Sequence, residues 1–315
     1  MEDFFIFMEK YQGEDLHTLS ENQWQQFTTG LEPNKPLQKV WQIAELIQRI
    51  APDVLLLCEV GGKISLENFN RYFLNDSYNI HLIEGNSKRG IDIGYMTKKS
   101  LAYQFELKSH RERTLDFHYP AGASSDPNEI LKFSRDVLEL RLLENTQTKL
   151  IFFLVHLKSK LDIDNIDFEG RGRREAELKK VIDIYLEVQK ETKNKVPIIL
   201  AGDFNGQAGV LDQEPEFKNL YQRTQLQDIL ELTNKTPEQR TTLFHFANPG
   251  RRLSLQLDYI FLPPELHRKI DPKQTFVHYY QNEAGENLPL PESREERTKL
   301  PSDHYPLVTT LSLDQ

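Results

Sequence analysis

The chain has 315 residues, of which 38% are hydrophobic and 28% charged, and a net charge of −9. That balance suits a folded globular domain and excludes a disordered chain, while the negative charge argues against binding nucleic acid through a broad basic surface. A single cysteine, Cys58, excludes an internal disulfide, and no run approaches the roughly 18 apolar residues of a membrane helix; a cytoplasmic location is expected, although a leader removed ahead of Met1 would leave no trace.

The opening run Phe4-Phe5-Ile6-Phe7-Met8 is too short for a signal-peptide core and follows acids rather than lysines. Apolar side chains at Leu37, Val40, Ile43, Ile47 and Ile50 predict a helix over 37–50. Pro52 ends it, because proline disfavours helical geometry in the residue before it. Residues 53–59 read as a buried strand, 90–96 as an alternating one and 150–155 as a second buried one. A helix over 174–188 places Leu178, Val181, Ile182 and Tyr185 on one face. Strands follow at 197–201, at 253–262 and, last, at 305–313. The polar segments 106–130 and 281–300 read as surface excursions. No repeat or composition break divides the chain, so one layered α/β domain spanning 1–315 is expected.

The apolar runs share a feature: each delivers a polar group at one end. Glu59 closes one run and His156 another. Asp203 and Asn205 follow 198–201, Asp258 sits within 255–261, and Asp303-His304 precede Tyr305. Singly, an aspartate after a strand is usually a turn residue or helix cap, and a strand-end histidine a satisfied polar group. Together they make what a metal–phosphate site requires, with rigid strands holding the groups and open strand ends admitting substrate.

The motifs sharpen this. Gly202-Asp203-Phe204-Asn205 resembles the GDFN signature of the endonuclease/exonuclease/phosphatase superfamily, and Ser302-Asp303-His304-Tyr305-Pro306 its SDHxP signature. Leu257-Asp258-Tyr259-Ile260, Leu57-Cys58-Glu59-Val60 and His156-Leu157-Lys158-Ser159 are similar to its remaining strand motifs, in family order. The resemblance implies a four-layer α/β/β/α sandwich with two packed mixed sheets and the site at one end. It also implies roles: His304 as general base or water-orienting group, Asp258 holding its imidazole, Asp203 and Asn205 positioning nucleophile and phosphate, and His156 contacting a phosphoryl oxygen.

Hard oxygen donors such as Glu59 and Asp303 suit Mg²⁺ or Mn²⁺, and no Cys/His cluster has zinc spacing. Arg171, Arg173 and Arg174 gather where the second helix begins, either framing a phosphate site or pairing with Glu169, Glu175 and Glu177 as a solvated turn. Asp92 lies in an apolar strand and needs a partner, beside the site or elsewhere. Arg251-Arg252, just before the Asp258 strand, either touch a substrate or are ordinary surface arginines. One departure stands out. The family's first strand ends in an asparagine, whereas here Phe4–Met8 is followed by Glu9. Either that strand is missing or displaced, which is the favoured reading, or Glu9 replaces the amide.

The expected function is metal-dependent phosphodiester hydrolysis of the nuclease type. A phosphatase or phosphodiesterase acting on small phosphates or lipid head groups is the alternative, and a non-catalytic binding module the third reading. The expected partner is a phosphoester substrate, nucleic acid included; the sequence leaves the oligomeric state open.

Overall fold

The computed structural model describes residues 1–119, 130–161, 166–209, 213–247, 250–282 and 284–313. In chain order these form helices α1 (Glu21–Gln25) and α2 (Leu37–Ile50), strand β1 (Val54–Val60), helix α3 (Gly62–Phe73), and strands β2 (Tyr78–His81), β3 (Asp92–Lys98), β4 (Gln104–Ser109), β5 (Val137–Glu144) and β6 (Gln147–His156). Then come helix α4 (Arg171–Glu191), strand β7 (Ile198–Asp203), helix α5 (Lys218–Arg223), strand β8 (Gln227–Asp228) and helix α6 (Ile229–Leu232). Strands β9 (Leu243–Ala247), β10 (Arg251–Leu255), β11 (Asp258–Leu262) and β12 (Phe276–Val277), helix α7 (Arg294–Arg297) and strand β13 (Leu307–Val308) complete the set.

Strand periodicity builds the layers. In β6, Ile151, Phe153 and Val155 pack against Leu178, Val181, Ile182 and Tyr185 of α4. The alternate residues Leu150, Phe152 and Leu154 face the other way, into a core shared with Ile93 and Tyr95 of β3 and Leu138 and Leu140 of β5. A third core places Val40, Ile43 and Ile47 of α2 and Leu66 and Phe69 of α3 against Leu57 and Met96. The sequence of layers is helix, sheet, sheet, helix, the expected sandwich.

The larger sheet runs β4-β5-β6-β7-β11-β8 and is mixed, since β6 and β7 are parallel while the other neighbours are antiparallel. The smaller, β1-β3-β2, is antiparallel, with one parallel bridge from Phe4 to Val60, so its mixed character rests on that contact. Phe4 N–H donates to Glu59 O at 2.9 Å and Gly61 N–H to Phe4 O at 2.8 Å, which seats the opening segment beside the end of β1.

Several expectations change. The run 253–262 is two strands: β10 pairs with β9, whereas β11 joins the large sheet. The break falls where the Leu257 and Asp258 amides turn to Thr242 Oγ1, at 3.0 and 3.2 Å. Residues 305–313 form only β13 and an isolated bridge at Leu311. The excursion at 106–130 begins inside β4, and its part at 120–129 lies outside the described residues; 281–300 contains α7. Among the described residues, no helix is long and apolar enough to cross a membrane.

Candidate active site

Strands β6, β7 and β11 lie side by side, and their register sets His156, Asp203 and Asp258 in one row across the sheet. Neighbouring strands are roughly 4.8 Å apart, so the three side chains fall within one another's field. Gly202 permits this closeness. Its φ is +138°, and a Cβ there would lie 1.9 Å from Val155 O. The Asp203 carboxylate accepts from Asn205 N–H at 2.8 Å and from Asn205 Nδ2 at 3.3 Å, and Asn205 Nδ2 also donates to Leu157 O at 3.0 Å. Asp203 and Asn205 thus form one unit clamped to the end of β6. His156 Nε2 lies 3.5 Å from Asp203 Oδ2.

His304 arrives from the C-terminal segment. Its backbone bridges Leu243, and its carbonyl accepts from Tyr280 Oη at 2.7 Å. Its Nδ1 lies 2.7 Å from Asp258 Oδ2, which leaves Nε2 to meet a water or phosphoryl oxygen. Burial alone would lower the His304 pKa, but Asp258, Asp203 and Asp303 outweigh it and raise it to about 10. Burial raises Asp203 to about 7, with His304 opposing and Asp258 reinforcing. His156 is pushed well below its usual range by burial and then by the charges of Arg135 and His304, so it is neutral.

Donor atoms of Asp203, Asp258 and His304 all lie within 4.8 Å of one another, an arrangement with the chemistry of a divalent-cation site. Glu59 and Asp303, the ligands expected from sequence, do not join that group. Glu59 stands at a bulge between Cys58 and Val60 with φ +60°, a conformation rare for a side-chain-bearing residue. Glu9 is exposed and is not among the grouped donor atoms. Glu2 is the acid of that segment whose carboxyl feels the site: burial raises its pKa, and Asp303 raises it further.

Sequence reading missed Arg135, which lies two residues before β5 in the stretch opposite the end of β6. Its guanidinium is buried, and its Nη1 makes only long contacts, to Ser134 Oγ at 3.3 Å and Leu157 O at 3.5 Å. Its charge acts on Glu59, Asp203 and His156. The signal was a cation two residues ahead of the alternating run Val137–Leu142, legible only once that run is taken as a strand.

The arginine cluster is ion-paired: Arg173 meets Glu177 as the pairing alternative expected, whereas Arg171 and Arg174 meet Glu216 instead of Glu169 or Glu175. Arg174 has no exposed surface, and its Nη2 lies 2.6 Å from Glu216 Oε1. Arg173 Nε lies 3.4 Å from Glu177 Oε1 and its Nη2 donates to Lys132 O at 3.1 Å, while the half-exposed Arg171 lies 3.6 Å from Glu216. With their charges met inside the fold, Arg173 and Arg174 do not frame a phosphate. Glu177 accepts from the Ser134 and Lys158 amides at 2.8 and 2.7 Å, tying the ends of β5 and β6 to α4. Asp92 is buried and accepts from Gly85 N–H at 2.7 Å, so its partner is backbone.

The fold and this row of acids and imidazoles are those of a phosphoester hydrolase. The profile of the endonuclease/exonuclease/phosphatase family matches residues 24–304, and the chain belongs to that family. Among solved structures it is similar to TDP2 from Caenorhabditis elegans, at 16% identity and a TM-score of 0.56, over 87% of this chain and 70% of that one. It is similar also to the human nocturnin catalytic domain with bound sulfate, at 16% identity and a TM-score of 0.53, over 90% of each chain. The mannosyl-6-phosphatase of Bacteroides thetaiotaomicron shares 16% identity and a TM-score of 0.51, over 87% of this chain and 91% of that one. No curated protein sequence matches the chain.

Proposed function

We propose that the chain is a divalent-metal-dependent phosphodiesterase of the nuclease type. The observation that carries this reading is the Asp258–His304 pair at 2.7 Å, facing Asp203 among groups whose protonation is pushed apart. Two titratable groups set apart by their surroundings divide acid and base roles between them. His304, held charged, donates from Nε2 to a phosphoryl oxygen or the leaving group. Asp203 accepts the proton of the attacking water, and Asn205 fixes its carboxylate. This moves the base role expected for His304 to Asp203. His156, neutral, offers a hydrogen bond to the phosphate, and Arg135 supplies nearby positive charge.

Beyond the grouped donors of Asp203, Asp258 and His304, Glu59 and Asp303 would supply oxygen ligands for Mg²⁺ or Mn²⁺, since the charge of Glu59 acts on Asp203 and that of Asp303 on His304. Such an ion supplies neutralisation of phosphoryl charge. Related structures support the class: one TDP2 structure from D. rerio, at 17% identity, is a complex with single-strand DNA product. A small phosphate or lipid head group is the second reading, favoured by the net charge of −9. Purified protein with Mg²⁺ or Mn²⁺ should be screened against DNA, RNA, inositol phosphates and simple phosphodiesters. Turnover of nucleic acid is expected, and turnover of inositol phosphates alone would favour the second reading.

A further inference from the structure

Strand β9 starts at the active site and leads away from it. One edge pairs with β10, and the other presents successive carbonyls to three different donors. Thr242 O, just before the strand, accepts from Tyr305 N–H at 2.8 Å, beside His304. Phe244 O accepts from Arg297 Nη1 at 3.1 Å, and Phe246 O from Arg294 Nε and Nη2 at 3.2 and 2.9 Å. Carbonyls two residues apart on one strand edge are roughly 7 Å apart. The two guanidiniums therefore stand one and two such steps from the His304 segment.

The charges along this edge are unmatched. The neighbouring Arg252 and Lys299 are paired with Glu292 and Glu295. Among the described residues, neither Arg294 nor Arg297 has a carboxylate within ion-pair distance, and Arg297 Nε is buried without a hydrogen-bond partner. His245 is exposed between Phe244 and Phe246. Burial and then the charges of Arg297, Arg294 and Lys160 push its pKa down, which marks how closely these cations gather. Lys160 belongs to the segment after β6 and is itself paired with Glu214. Two arginines along one edge with no carboxylate partner among the described residues are unexpected in a chain of net charge −9. They line up away from the catalytic row rather than converging on it, which suits a linear polyanion better than a compact one.

We propose that this edge of β9 is a phosphate-binding shelf, on which Arg297 and Arg294, with His245, hold the phosphates of a single-stranded nucleic acid that flank the one at His304. The shelf rests on the phosphoesterase reading and names the substrate class for the same site. Binding of a labelled oligothymidylate to the full chain in EDTA, followed by fluorescence anisotropy across a salt series, reads the shelf without turnover. Arg294→Gln is the primary variant, since Arg294 is exposed whereas Arg297 is partly buried. It should weaken binding and flatten the slope of log affinity against log salt by about 0.7, the contribution of one phosphate on a single strand. Arg294→Lys should restore the slope. Metal-supported hydrolysis of bis(p-nitrophenyl) phosphate, which has no flanking phosphate, should be unchanged in Arg294→Gln. Oligothymidylate binding with the same affinity and slope in Arg294→Gln would overturn the shelf, as would equal loss with both probes. Arg294-dependent binding of inositol hexakisphosphate without such binding of oligothymidylate would overturn the nucleic-acid assignment. Arg294-dependent oligothymidylate binding by a protein that hydrolyses nothing would leave the shelf standing and remove the phosphoesterase reading.

Discussion

Arg174→Met separates an arginine that holds the fold from one that holds substrate. The side chain is fully buried, with Nη2 at 2.6 Å and Nε at 3.2 Å from Glu216 Oε1 and Nη1 donating to the carbonyls of Glu169 and Lys158 at 2.9 and 3.2 Å. Methionine keeps the apolar stem but leaves the Glu216 carboxylate buried without its closest partner. Removing one member of a buried pair costs about 3–5 kcal/mol, most of it the desolvated charge left behind. Arg171, 3.6 Å from the other Glu216 oxygen, offsets part of that loss, so about 3 kcal/mol is expected. Urea denaturation at constant m-value measures it. Arg174→Met/Glu216→Leu removes both charges and should recover most of the stability, while KM of the folded single variant stays near that of the parent. A variant with the parent's urea midpoint and a strongly raised KM would refute this, and would return Arg174 to the substrate.

Two further outcomes follow from carboxylates and their partners. If Asp258 acts through His304, then His304→Ala/Asp258→Ala should lose little more kcat/KM than His304→Ala alone, and independent, multiplying losses in that cycle would reject the coupling. Asp228 caps α6 and accepts from Gln256 Nε2 at 2.9 Å, and burial raises its pKa from 3.8 to about 7. Between those values the folded chain keeps a proton that the unfolded chain has released, so Asp228 makes stability fall as pH rises through that window. Asp228→Asn should therefore gain stability relative to the parent at pH 8 and gain none at pH 4, and urea midpoints that shift equally at both would contradict the assignment.

The juxtaposition of His156, Asp203 and Asp258 was legible because each closes or opens an apolar run, a pattern that strand geometry translates directly into a shared sheet edge. The same logic failed at Arg135, since Val137–Glu144 carries Glu139 and Arg141 in its interior. Those charges disguise a buried strand whose Glu139 is satisfied by His110 at 2.8 Å and Arg141 at 2.5 Å. The partners of Arg174 were hidden for a related reason: Glu216 lies 42 residues away, and no local pattern announces that contact. The switch of sheets within 253–262 depends on Thr242, whose hydroxyl draws off two amides, and alternation alone does not reveal it. The proposed shelf on β9 likewise needs residues 294–297, about 50 residues on, to fold back along one strand edge.

Hydrolysis of an oligonucleotide by EDTA-stripped protein, with and without added Mn²⁺, bears most directly on the assignment of these residues. No turnover is expected before the ion is restored and full turnover after, with Glu59→Gln requiring far more Mn²⁺ to reach it. Full-rate cleavage in EDTA, or an Mn²⁺ response untouched by Glu59→Gln, would contradict the assignment.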